Sequence, residues 1–141
     1  VGSRVRFTNL DGWDHHVRGL PAGVAGLTAA SGAGFELCLA GKTEGQPAAS
    51  AEVVLQQPGP LQLGCHLHGS MRGFVYVADT PWVTRTDAQG VATLNDVPEG
   101  AARVRVWHPD QLVEGSSLPV QVQAVSAVTA PTQVVPRRRR L

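Results

Sequence analysis

The sequence predicts an all-β chain, and three observations predict it. Apolar and polar residues alternate with period two in short runs rich in valine and threonine, the pattern of strands that bury one face. Sixteen glycines and ten prolines among 141 residues interrupt those runs every few positions, at turn spacing. No window holds apolar residues at helical spacing for three turns, so no helix competes.

A first strand is expected at Arg4 to Thr8, with Val5 and Phe7 on one face and Arg4, Arg6 and Thr8 on the other. Asn9-Leu10-Asp11-Gly12 ends it as a turn. Trp13-Asp14-His15-His16-Val17 comes next. Neighbouring side chains of an extended chain point to opposite faces, so His15 and His16 cannot both aim at one buried site. His15 shares its face with Val17, an apolar residue expected inside, whereas His16 shares its face with Asp14 and Arg18, which favour water. His15 is therefore the inward candidate.

Leu20 to Gly34 reads as a loop rich in Gly, Ala and Pro. Phe35 to Leu39 alternates again, with Phe35, Leu37 and Leu39 on one side and Cys38 on the other. Gly41 to Ser50 is a polar connection, Ala51 to Leu55 a short strand, and Pro58-Gly59-Pro60 a turn. Leu61, Leu63 and Cys65 then share a face, which turns the Cys65 thiol toward the core. From His66 the alternation breaks into a loop that lasts until Phe74-Val75-Tyr76-Val77 resumes a strand.

Beyond Pro81 the pattern is one of short hairpins. It runs through Val83 to Thr86, the turn Asp87-Ala88-Gln89-Gly90, Val91 to Leu94, the turn Val97-Pro98-Glu99-Gly100, and Ala102 to Trp107. Leu118 to Val125 is a last strand, and residues 126–141 are expected to be a disordered basic tail ending in Arg137 to Arg140. The chain thus divides into residues 1–80, 81–125 and 126–141.

Lys plus Arg number 12 against Asp plus Glu 11, a net charge of +1, so no global field draws the chain to nucleic acid. No apolar run approaches the roughly 20 residues of a membrane-spanning helix. The chain opens on Val1 rather than Met and enters a strand almost at once, which reads as a processed or truncated product. Two cysteines are too few for a disulfide framework.

The densest chemistry lies in Cys65-His66-Leu67-His68-Gly69-Ser70-Met71. A thiolate, an imidazole and a thioether spaced as Cys65, His68 and Met71, joined by an imidazole from His15, match the ligand set of a type 1 copper site. Met71 is the only methionine of the chain. Zinc is the rival metal, held by Cys65, His66, His68 and His15 as a tetrahedral set. His66 reads as a rim residue, His16 as an exposed residue able to support the site through hydrogen bonds, and His108 as a turn residue.

Several segments resemble the cupredoxin superfamily: Val5-Arg6-Phe7-Thr8-Asn9, Asp14-His15-His16-Val17, Phe35-Glu36-Leu37 and Leu63 to Met71. The continuation through Val75 to Trp82, Thr86 to Gly90 and Val106-Trp107-His108-Pro109 resembles bacterial methylamine utilisation or plastocyanin-like proteins. The resemblance implies a Greek-key β-sandwich without its first strand or strands, carrying one type 1 copper ion and located in the periplasm or secreted. It implies a carboxypeptidase-regulatory-like β extension after Pro81. Carried over by position, His15, Cys65, His68 and Met71 are the copper ligands, while His16 stands where cupredoxins often have Asn.

The expected function is single-electron transfer to and from a redox partner protein, without enzymatic turnover. Two other classes use the same residues: a copper or zinc store or sensor, and a secreted interaction module with a structural metal. Multicopper enzymes need further histidine clusters, and this chain has five histidines in all.

Overall fold

The computed structural model describes residues 1–23, 34–111, 113–115 and 117–135. The described residues form eight strands in chain order: β1 (Ser3–Thr8), β2 (His15–Pro21), β3 (Phe35–Leu39), β4 (Ser50–Leu55), β5 (Gly59–Cys65), β6 (His68–Val77), β7 (Gly100–Val104) and β8 (Leu118–Val122). The described residues include no helix, so the chain is all-β as its alternation predicts. It forms two compact units, Val1–Pro81 and Trp82–Leu141.

The described residues of the first unit form two antiparallel sheets. One pairs β1 with β4, and the other has the order β3-β2-β5-β6. In the small sheet Val5 lies opposite Val53 and Arg6 opposite Glu52, so one face is apolar and the other charged. Leu55, Leu61 and Val77 form the buried cluster, and Val5, Phe35, Val53 and Val75 pack around it. Residues of β1 and β4 thereby meet residues of β3, β5 and β6, the face-to-face arrangement of a sandwich. Phe7 of β1 and Phe35 of β3 add a tilted ring contact at 5.5 Å.

On the solvent face, Glu52 takes Arg6 at 2.6 Å and Arg4 at 3.2 Å. The Arg6 guanidinium, ahead of Arg4, holds the Glu52 carboxyl below its ordinary value. Exposed pairs of this kind add little stability, so the apolar face decides. The buried core is thin: among the described residues Leu39, Leu55, Leu61, Cys65 and Val77 are its hydrophobic side chains, with Pro60 buried beside Leu61. Leu55→Ala should therefore cost about 2–5 kcal/mol, seen as a lower urea midpoint at unchanged slope. A midpoint within error of the wild type would contradict this core assignment.

Strand β5 begins inside the expected Pro58-Gly59-Pro60 turn. Gly59 has a φ of 119°, which side chains disfavour, and it pairs with Val77. Pro60 lacks an amide hydrogen, but its carbonyl accepts the Ala22 amide at 2.9 Å. Strand β2 likewise runs on to Pro21, into the stretch whose composition predicts a loop, and the remainder of that stretch at residues 24–33 lies outside the described residues.

In the second unit β7 and β8 form an antiparallel pair. The strands expected at Val83 to Thr86 and Val91 to Leu94 do not form. Their turn does: the Asp87 amide donates to the Val91 carbonyl at 2.8 Å, and Asp87 Oδ1 accepts the amides of Gln89 and Val91 at 2.9 and 2.8 Å. That side chain satisfies an amide a ladder would use, and residues 81–96 are exposed, so no buried face rewards further pairing. Strand β8 stops at Val122, and just beyond it the Gln123 amide donates to Ser126 Oγ at 2.8 Å. Gln111 and Val134 form an isolated bridge, and His108 accepts the Asp110 amide within a turn. Arg137 to Arg140 lie outside the described residues.

Candidate metal centre

Three strand ends of the first unit converge. His15 opens β2, Cys65 closes β5 and His68 opens β6. Antiparallel pairing of β2 with β5 sets Val17 opposite Cys65, and pairing of β5 with β6 sets Cys65 opposite His68 across the turn His66-Leu67. The register then jumps, from Cys65 opposite His68 to Gly64 opposite Arg72. Gly69, Ser70 and Met71 are left as extra residues of β6, a bulge. The segment expected as a loop is thus a tight hairpin tip followed by a bulge.

His15 and Cys65 are buried and His68 is half-buried. Their donor atoms lie within 4.8 Å of one another. Cys65 Sγ is 3.5 Å from His68 Nδ1 and accepts the His16 amide at 3.4 Å. The His15 and His68 rings are 4.8 Å apart. The alternation of His15 with Val17 correctly selects the inward imidazole, since His15 is 5% exposed.

His15 is set by residues of the turn that precedes β2. Its Nε2 is 2.7 Å from Asp11 Oδ2. A carboxylate only accepts, so Nε2 carries the proton and Nδ1 keeps its lone pair. Nδ1 is buried and makes no hydrogen bond. Asp11 is held in turn by Asn9, whose Oδ1 accepts the Asp11 amide at 3.0 Å and whose Nδ2 donates to the carbonyls of Trp13 and Ala40 at 2.8 and 3.0 Å. Asn9 is itself 3% exposed. Gly41 packs against this turn so closely that a Cβ there would stand 2.5 Å from the Gly12 carbonyl oxygen. Sequence reasoning assigns Asp11 to the turn alone; the signal that could have found its second role is its spacing, a carboxylate four residues before a ligand-type histidine.

The electrostatics suit a cation. Burial pushes the Cys65 thiol up, but the neighbouring His15 imidazole, the hydrogen bond from the His16 amide, and His68 and the Leu67 amide outweigh it and bring the pKa from 9.0 down to about 6. The Cys65 sulfur, ahead of the Asp11 carboxylate, raises His15 above 6.5, with burial opposing. At neutral pH the sulfur is an anion, the species that binds metal. An orphaned buried nitrogen, a thiolate and a half-buried imidazole fit a metal ion, and the cluster can hold one.

A depressed thiol pKa stabilises the metal-free fold where the thiolate is already formed in the folded state and not in the unfolded one. Stability should therefore rise from about pH 6 to about 9 and lose this contribution below pH 6. Thiolate absorbance near the ultraviolet edge in Cys38→Ser protein should titrate with a midpoint about 6; a midpoint near 9 would overturn the assignment.

The fourth expected ligand, Met71, sits in the bulge at 42% exposure. With Cys65, His66, Gly69 and Arg72 it lines a surface pocket of about 360 Å³. His66 does not join the cluster, because its Nε2 lies 3.1 Å from His16 Nδ1 instead. The tetrahedral set of Cys65, His66, His68 and His15 is therefore not assembled. Cys38 is an exposed free thiol on β3, and Cys65 is free as well. No protein-family model, curated protein or solved structure matches the chain.

Proposed function

We propose that the chain is a cupredoxin-like, Greek-key type 1 copper protein that passes single electrons between redox partners in the periplasm or another exported setting. The observation that carries this reading is a buried thiolate flanked by two imidazoles, His15 and His68, with a lone-pair nitrogen of His15 otherwise unused. Two imidazoles and one thiolate, with a thioether that Met71 would add, are the ligand types of a blue-copper centre. Bound copper supplies a one-electron couple.

The chain's own residues do the rest. Strand pairing and the Asp11 and Asn9 hydrogen bonds hold His15 and Cys65 in place, so little rearrangement accompanies a change of charge. Burial of His15 and Cys65 excludes water from the ligands. His68, the half-buried ligand, connects the site to the surface, where the Trp13 ring lies 6.4 Å from its own and Leu67 is 54% exposed. Those exposed apolar residues give a redox partner a surface to dock on. No helix among the described residues is long and apolar enough to cross a membrane.

The test is the spectrum of metal-free protein after addition of Cu(II). An intense visible thiolate-to-copper band, a narrow hyperfine pattern in paramagnetic resonance and a reversible one-electron wave are expected. A colourless product would sink the copper reading and favour zinc.

A further inference from the structure

A second pair of imidazoles stands outside the interior cluster, one on β2 and one in the turn after β5. His16, next to His15 on β2, points the opposite way, and His66, next to Cys65, does likewise. His16 Nδ1 and His66 Nε2 stand 3.1 Å apart, with their rings edge to face at 4.1 Å. Two imidazole nitrogens bound to one tetrahedral ion at about 2.0–2.1 Å are separated by roughly 3.3 Å. The pair is already spaced for a shared ion.

A carboxylate supports the pair from behind. Glu36 Oε2 lies 3.3 Å from His16 Nε2, and Arg18 Nε fixes the other oxygen of Glu36 at 2.7 Å. The carboxylate holds the proton on Nε2, which leaves the His16 Nδ1 lone pair facing His66. This is the carboxylate–histidine arrangement that orients metal ligands, and Asp11 stands in the same relation to His15 on the inner face. The outer pair lies at the surface, within reach of solvent ions: His16 is 22% exposed by side chain, and His66 is exposed at the hairpin tip.

We propose that His16 Nδ1 and His66 Nε2 form a second metal site, on the outer face, for a borderline divalent ion of the Zn(II) class, with water in the remaining positions. In the metal-free protein the His66 Nε2 proton bridges to His16. On binding, His66 carries its proton on Nδ1 and both facing nitrogens become ligands. The site is weaker and more exchangeable than the interior one, because the chain supplies two ligands and solvent the others.

Calorimetric titration of the untagged full chain with Zn(II) tests it, with His66→Ala, Glu36→Gln and Cys65→Ala alongside. The wild type should take two ions. His66→Ala should lose the weaker, Cys65→Ala the tighter, and Glu36→Gln should weaken the outer ion 10–100-fold while keeping it. Exposed His66 and Glu36 leave the core untouched, and far-ultraviolet dichroism confirms each fold. A wild type that binds one ion, lost in Cys65→Ala and unaffected by His66→Ala, overturns the outer site and leaves the interior one standing. One ion lost in His66→Ala and kept in Cys65→Ala does the reverse.

Discussion

On the copper reading proposed above, Cys65→Ser should abolish the intense visible band expected of copper-loaded protein and the thermal stabilisation expected from copper binding. The band needs a sulfur donor, and among the described residues Cys65 is the thiol within the cluster, Cys38 being exposed on β3. An alcohol at the same position stays protonated at neutral pH, so it presents no anion to the ion. A ligand that binds the folded state at one hundred times its Kd stabilises by about 2.7 kcal/mol, and that increment should disappear in the variant. The variant should also lose the stability gained between about pH 6 and 9, because the depressed thiol pKa is gone. Retention of the band in Cys65→Ser would move the site elsewhere, and retention of the pH-dependent gain would move the titrating group.

Much of this site is legible in the sequence because strands carry a two-residue period. Val17 beside His15, and Leu61 and Leu63 before Cys65, report which way each donor faces, since apolar neighbours on one face mark the inside. Strand β3 is legible for the same reason, with Phe35, Leu37 and Leu39 on the inner side and Cys38 outside. The stretch after Cys65 is not. A bulge adds residues to one strand without leaving the ladder, so Gly69 to Met71 break the alternation just as a loop does. Alternation also predicts strands where nothing is buried, as at Val83 to Thr86, because period two describes a face and not the presence of something to cover it. Asp11 shows a different limit: turn chemistry and support of a ligand use the same short carboxylate, and only the fold brings it to 2.7 Å from His15. The pairing of His16 with His66 is a contact across 50 residues, set by the β2–β5 register rather than by local spacing.

Asp11→Ala is the second large effect, and it separates positioning from ligation. Asp11 reaches His15 through the nitrogen remote from the cluster, so its removal leaves all donors present and frees the ring to exchange tautomers and turn. Loss of such a carboxylate partner typically costs 10–100-fold in metal affinity, about 1.4–2.7 kcal/mol. The backbone of the turn keeps its own bonds, the Asp11 amide to Asn9 and the Lys42 amide to the Asp11 carbonyl at 2.7 Å, so the fold should persist. Taking away a negative charge next to a ligand also disfavours the more positive copper state, so the reduction potential should rise. Asp11→Asn keeps an acceptor for the His15 proton and removes only the charge; it should recover most of the affinity while the potential stays high. In metal-free protein, the stability His15 contributes below pH 6.5, lost as pH rises through its raised pKa, should shrink in both variants but not vanish, since Cys65 is the larger cause. Equal affinity and potential in wild type, Asp11→Ala and Asp11→Asn would show that the sheet alone orients His15.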